Sequence, residues 1–396
     1  MKVDGRLVND SKGKADVLNQ HFQSVFTRTS VTSVNMTSPF PSVPMMPPIK
    51  VTVPGVLKLL KGLNPNKTCG PDNIGPRLLR ELSEQIASPL TTIFQQSLHD
   101  SIVPWDWRKA NITPVFKKGQ KYLCSNYRPI SLTCIVSKLM EHVVCSSIMN
   151  HANMHNILYP LQHGFRARRS CETQLIDLVN DIANNMQSGL QTDICVLDFA
   201  KAFDKVSHIH LIHKLRWYGI TGEVNRWINN FLCDCTQRVV LESASSDEVP
   251  VASGVPQGSV LGPCLFLFYI NDIAVGLSST VRLFADDTLL YLTVQNNNDA
   301  ELLQHDLDML CQWEATWLME FHPDKCEVIS VTRKKNLITY PYHIHGHHLK
   351  RVDYAKYLGV HITSNLCWDK HIDNICSQAN SSLGFIRRNV NICKKD

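Results

Sequence analysis

The chain has 396 residues, 44% hydrophobic and 19% charged, so it is longer than one ordinary domain and apolar enough to bury a sizeable core. Lys and Arg number 40 against 35 Asp and Glu, a net charge of +5 that permits a polyanionic partner without establishing one. The start, MKVDGRLVND, has no signal-peptide stretch, and the longest apolar run, near 260–270, is broken by Gly262–Pro263; secretion and membrane spanning are therefore not expected.

In chain order, Val17, Leu18, His21, Phe22 and Val25 predict a short amphipathic helix within residues 1–30. Residues 31–50, rich in Ser, Thr and Pro, predict a linker. Val56, Leu59, Leu60 and Leu63 predict a helix, the polar turn 64–73 interrupts, and Leu78, Leu79 and Leu82 begin another. ANITPVFKKG (110–119) and SNYRPISL (125–132) read as β-structure, followed by a long helix over 133–150. DICVLDF (193–199) predicts a buried strand, and VRLFADDTLLYL (281–292) two strands meeting at Asp286–Asp287. Helical spacing returns over 301–318, strand patterning over 326–332, a hairpin around Gly346, and a helix over 366–390. The mixture implies an α+β protein with a sheet flanked by helices. The 14 cysteines form no framework, and no four ligands have zinc spacing, so free thiols in a reducing, intracellular compartment are expected, cytoplasmic or nuclear.

An Asp-Asp pair is weak evidence alone, since about one is expected by chance in a chain of this length. Here, however, both aspartates sit between apolar segments, where a tight hairpin holds them at its tip. Adjacent carboxylates repel unless a cation neutralises them. Asp198 ends the apolar strand ICVLD and would bring a third carboxylate to the same place. Magnesium prefers a few carboxylates plus substrate phosphates, and two such ions activate a 3′-hydroxyl and stabilise departing pyrophosphate. The arrangement is suited to phosphoryl transfer.

CVLDFAKAFDKVSH (195–208), SGVPQGSVLGPCLFLFYINDI (253–273) and LFADDTLLY (283–291) resemble, in order, motifs A, B and C of the reverse transcriptases of non-long-terminal-repeat (LINE-type) retrotransposons. NYRPISLT (126–133) with PVFKKG (114–119) looks like the fingers motifs. WLMEFHPDKCEVI (317–329) is similar to motif D, and YLGVHI (357–362) to the primer-gripping segment. The resemblance covers roughly residues 50–395 and implies a right-hand polymerase with fingers, an antiparallel-sheet palm and a partial helical thumb. It also implies RNA-directed DNA polymerase activity with two Mg2+ ions (Mn2+ as a substitute), an RNA template, a DNA primer and deoxynucleoside triphosphates. The expected divisions are 1–50 (helix and linker), 51–108 (helical extension), 109–363 (reverse transcriptase domain) and 364–396 (start of the thumb).

Carried over residue by residue, the resemblance implies that Asp198, Asp286 and Asp287 hold metal. Phe203 matches an aromatic that excludes a 2′-hydroxyl, with a plain core role as the alternative. Gln257 and Gly258 match a loop under the template base and nucleotide; Gly suits close backbone approach. Arg128 matches a triphosphate-binding residue, with Lys117 and Lys118 undecided between them. Lys325 resembles a general acid for pyrophosphate, and an exposed lysine is the equal alternative. Arg166, Arg168 and Arg169, in HGFRARRS, are expected to track a phosphate backbone. Asp204 is read as structural, and the histidine-rich YHIHGHHLK (342–350) as a hairpin rather than a metal site, because no cysteine lies close in sequence. The endonuclease and most of the C-terminal region of full-length elements are expected to be absent, which keeps open a second reading: a nucleic-acid-binding remnant without turnover.

Overall fold

The computed structural model describes residues 1–3, 6–27 and 36–390; parts of the linker and thumb expectations fall on 28–35 and 391–396, outside the described residues. The chain divides into two compact units, one of Met1–Tyr159, Lys201–Ile273 and Thr316–Met319, the other of Pro160–Ala200, Ala274–Ala315 and Glu320–Asp396. Both mix helices and sheet, so the α+β expectation stands.

In the first unit, strand Lys109–Phe116 pairs antiparallel with Tyr127–Leu132 on one side and parallel with Thr236–Leu241 on the other. Helix Ser11–Ser24 covers this sheet with Ala15, Leu18 and Phe22, which pack with Ile112 and Val239. Those side chains recur at spacings of three and four, so one stripe of the helix meets the sheet. Asp10 caps its start by accepting the Gly13 N–H at 2.7 Å. Residues 36–50 contain no helix or strand, yet Ile49 is buried and the Met46 N–H donates to Gly219 O at 2.9 Å. Helix Leu261–Ile270 (LGPCLFLFYI) is apolar on every side and buried at every position except Pro263, as a helix without a solvent face must be.

In the second unit a five-stranded sheet runs in the order Lys350–Arg351, Glu327–Val331, Gln191–Leu197, Asp287–Val294, Thr280–Phe284. All neighbours are antiparallel except the first pair. Helix Cys171–Gln187 lies on one face through Leu178, Ile182 and Met186, which cluster with Ile194, Leu289, Tyr291 and Ile329. A reciprocal capping box between Ser170 and Thr173 fixes where this helix begins. The central strand is almost wholly buried and includes Asp193, which is satisfied by Gln191 Nε2 (2.8 Å), Ser330 Oγ (2.6 Å) and Tyr342 Oη (2.8 Å). A buried carboxylate is tolerable only when so compensated. The tail forms helix Asp369–Asn389, none of whose residues is buried.

Candidate active site

The apolar run of the central strand ends at Leu197, which pairs with Thr288 in the adjacent strand. One residue further, at the same end of the sheet, stand Asp198 and Asp287. Neighbouring antiparallel strands hold opposed Cα atoms about 5 Å apart, so these two carboxylates leave the sheet side by side. Asp287 also pairs with Phe284, leaving Ala285–Asp286 as a two-residue turn. Asp198 and the Asp286–Asp287 pair, which begins 88 positions later in sequence, thus share one sheet end because the register forces it. Asp198 and Asp286 are half-buried and Asp287 is exposed. Lys325, which begins no strand but ends the short turn Pro323–Lys325, places Nζ 2.9 Å from Asp198 Oδ2. The His322 N–H donates to the Asp198 carbonyl at 2.8 Å, and Phe321 stacks on Phe199 at 4.2 Å between ring centroids, so the 321–322 segment holds the backbone at Asp198.

The Asp-Asp turn has a brace that sequence reasoning missed. Ala285 adopts φ 55°, a left-handed conformation costly for a residue with a Cβ. Its N–H donates to Gln162 Oε1 at 2.9 Å, and the same oxygen accepts the Gly164 N–H at 2.7 Å. The backbone of 161–163 runs parallel to the strand Thr280–Phe284: Leu283 N–H donates to Leu161 O (3.1 Å) and His163 N–H to Leu283 O (2.8 Å). Gly164 passes so close that a Cβ there would lie 2.2 Å from the Ala285 nitrogen. Only a glycine permits this approach, and nothing local in the sequence marks the backbone it approaches.

The three arginines that follow separate. Arg169 turns inward, Nη1 lying 2.5 Å from His163 Nε2, whose Nδ1 in turn meets Thr173 Oγ1 at 2.9 Å. Arg168 is exposed with φ 62°, and Arg166 is half-buried. Burial and the neighbouring Arg169 and Arg282 cations hold the His163 imidazole below its ordinary pKa.

The first unit gathers the remaining candidates around its own sheet. Arg128 pairs with Val115 across the antiparallel ladder, so their side chains share a face. Lys117 lies two residues beyond Val115, its N–H continuing the ladder to Asn126 O at 2.8 Å, so it keeps that face, whereas Lys118 stands in the bend that follows. All three cations are exposed. The Gln257 carbonyl accepts the Ser131 N–H at 2.7 Å, docking the Pro256–Gly258 loop on the strand that carries Arg128. Gly258 has φ 112°, and a Cβ there would meet Ser131 O at 2.7 Å, so the residue type is dictated by contact as well as conformation. Gln257 Nε2 donates to Asp204 Oδ1 at 2.8 Å, which makes Asp204 a positioner of the loop; burial raises its carboxyl pKa. Phe203 is half-buried and stacks on Phe266 at 4.4 Å. Glu141 is a second residue the sequence reading missed. Wholly buried, it accepts the N–H groups of Val260 (2.7 Å) and Leu261 (3.0 Å) at the start of the apolar helix. Burial lifts its carboxyl to about 7.

The carboxylate end of the second unit suits a hard cation. Its donor set is all oxygen, it is partly open to solvent, and a lysine ammonium already lies against one carboxylate. Among the described residues no helix is long and apolar enough to cross a membrane.

The chain is 27% identical over 340 residues to "RNA-directed DNA polymerase from mobile element jockey" of Drosophila melanogaster, covering 83% of this chain and 37% of that protein. It is 28% identical over 393 residues to "Probable RNA-directed DNA polymerase from transposon BS" of the same organism, covering 93% and 42%. A third relative, "Probable RNA-directed DNA polymerase from transposon X-element", is 29% identical over 323 residues, 78% of this chain and 35% of its own length. The chain therefore spans well under half the length of these relatives. The family model described as reverse transcriptase (RNA-dependent DNA polymerase) matches residues 115–362, more than half of the chain, and the chain belongs to that family.

Proposed function

We propose that this chain is a reverse transcriptase polymerase core that extends a DNA primer 3′-hydroxyl with deoxynucleoside triphosphates along an RNA template. The observation that carries the reading is the register that brings Asp198 beside Asp287, next to the turn residue Asp286. In this reading the three carboxylates hold two Mg2+ ions, and Mn2+ can substitute. The ions would supply neutralisation of charge on the transferred phosphoryl group and on the oxygens it passes between. Asp198, Asp286 and Asp287 orient that charge at a fixed sheet end, so little reorganisation is needed during reaction. Lys325 Nζ, 2.9 Å from Asp198, holds a proton for the departing pyrophosphate. Arg128 binds triphosphate oxygens with its planar guanidinium, with Lys117 on the same face as the better-placed lysine and Lys118 secondary. Phe203 closes the space a 2′-hydroxyl would need, and Gln257 with Gly258 presents backbone to the template-side base. Arg166, Arg168 and Arg169 belong to the phosphate-tracking segment, with Arg168 the principal contact because Arg169 is engaged with His163.

The same reading gives anatomical names. The five-stranded sheet is the palm, the sheet with Lys109–Phe116 and Tyr127–Leu132 belongs to the fingers, and Asp369–Asn389 opens the thumb. Residues 51–108 are then a helical extension before a polymerase domain of 109–363.

Primer extension on poly-A with an oligo-dT primer, dTTP and Mg2+ tests this function. Labelled product that disappears in Asp286→Asn supports it. Tight RNA binding with no extension by the unmodified chain would instead mean a binding remnant.

A further inference from the structure

The histidine-rich stretch 342–350 does form a hairpin, His343–Ile344 against His347–His348, with His345–Gly346 as its turn. What sequence spacing hid is its neighbour. The turn comes against helix Asn297–Trp317, and the ligand atoms of Cys311, Glu314 and His345 all lie within 4.8 Å of one another. Cys311 and Glu314 are three residues apart and so share one side of that helix.

The plain alternative is an ion pair, since His345 Nε2 is 2.8 Å from Glu314 Oε2. That pair leaves several features unexplained. The Glu314 side chain is only 2% exposed, and its Oε1 is occupied by the Phe321 N–H. Its Oε2 receives no aligned hydrogen bond despite being fully buried. A buried carboxylate oxygen whose neighbours are an exposed imidazole and a protonated thiol is compensated incompletely. Oε2 points into a space also bounded by a thiol and an imidazole. His345 further adopts φ 51°, in a turn position where Asn or Gly is the inexpensive choice. Of the side chains that tolerate this conformation, imidazole is the one that ligates transition metals well.

We propose that Cys311, Glu314 and His345 form a binding site for one divalent transition-metal ion of the zinc class, separate from the aspartates of the proposed active site. The donor set is a thiol sulfur, an imidazole nitrogen and a carboxylate oxygen. This combination is borderline in softness and disfavours Mg2+. Tetrahedral bonds of about 2.0–2.3 Å separate donors by roughly 3.5 Å, so closure requires side-chain movements of about 1 Å. Three protein ligands leave one position for water. Burial pushes the free Cys311 thiol up to about 11, so it carries its proton when metal is absent. Binding replaces the S–H bond with a sulfur–metal bond and releases that proton to solvent. The consequence is structural. The ion joins the hairpin to the helix at Glu314, whose other oxygen holds Phe321 against Phe199, the neighbour of Asp198.

Co2+ is the probe, because a cobalt–thiolate bond gives a charge-transfer absorption that carboxylate-bound cobalt lacks. The full chain, stripped with chelator and held in excess Mg2+, is titrated with Co2+. We expect one equivalent to generate this band, Zn2+ to abolish it, and Cys311→Ser to remove it. His345→Asn, at an exposed turn that Asn suits, should keep the fold by circular dichroism and weaken Co2+ binding at least tenfold. A band of undiminished strength in both variants, or none in the unmodified chain, overturns the site. Neither result bears on polymerase activity, which the measurement does not use.

Discussion

Gln162 accepts the backbone N–H of Ala285 at 2.9 Å, which ties the segment before the arginines to the turn that bears Asp286. That single oxygen also holds Gly164, so one side chain sets the spacing between two backbones. Gln162→Leu leaves both N–H groups without their acceptor, at a cost of about 1–3 kcal/mol each if they stay buried. Primer extension should fall at least tenfold in kcat, while Gln162→Glu, which keeps the acceptor, should lose less.

Gly164→Ala is the steric counterpart. Its Cβ would sit 2.2 Å from the Ala285 nitrogen, backbone against backbone, so the turn itself must move. Activity is expected to fall about 100-fold or more, since misplacement by 1 Å has that effect on catalysis. Thermal melting measured alongside should show a smaller change than the activity does.

Lys325 and Asp198 offer a test of proton transfer. Lys325→Met should reduce single-turnover incorporation by about 10²-fold with primer–template affinity unchanged, in the range general acids contribute. Lys325→Arg, which keeps the charge but does not readily give up a proton, should not restore the rate. A change under threefold would mark the contact as a surface ion pair, which contributes little.

Glu141 makes stability depend on pH in an unusual direction. Its folded carboxyl, near 7, lies above the unfolded value of 4.5, so the native state binds more protons between these limits. Stability is therefore full below about 4.5, falls as pH rises towards 7, and is flat beyond, with a limiting slope of about 1.4 kcal/mol per pH unit. Glu141→Gln keeps an acceptor for Val260 and Leu261 and should flatten this slope in urea melts taken across the window.

Phe203→Ala should raise ribonucleotide incorporation relative to deoxyribonucleotide by at least tenfold, measured as a ratio of kcat/KM. The substitution also removes the stack on Phe266, so a stability loss of about 3–5 kcal/mol is the upper bound. Phe203→Val, retaining a branched side chain, separates the two effects.

Short apolar runs bounded by polar residues located the strands around 193–199 and 281–292, and helical spacing of apolar residues located the helix over 301–318. The parallel pairing of Lys109–Phe116 with Thr236–Leu241 was not legible, since the two strands lie more than a hundred residues apart and nothing local marks a partner. Asp198, Asp286 and Asp287 could be named from sequence because a strand end and a tight turn are local features. Gln162 and Glu141 could not. Each acts by accepting hydrogen bonds from backbone more than a hundred positions away, and residue type alone carries no trace of that. Cys311 was missed for the same reason: metal spacing along the chain shows ligands from one segment, not a helix meeting a distant turn.

The most direct test counts ions. Mn2+ bound to the complex with RNA template, terminated DNA primer and incoming deoxynucleotide can be followed by electron paramagnetic resonance, comparing the parent chain with Asp198→Asn and Asp286→Asn. The account predicts two ions in the parent and loss of at least one, with weakened binding of the other, in each variant. Identical stoichiometry and affinity in all three proteins would contradict it.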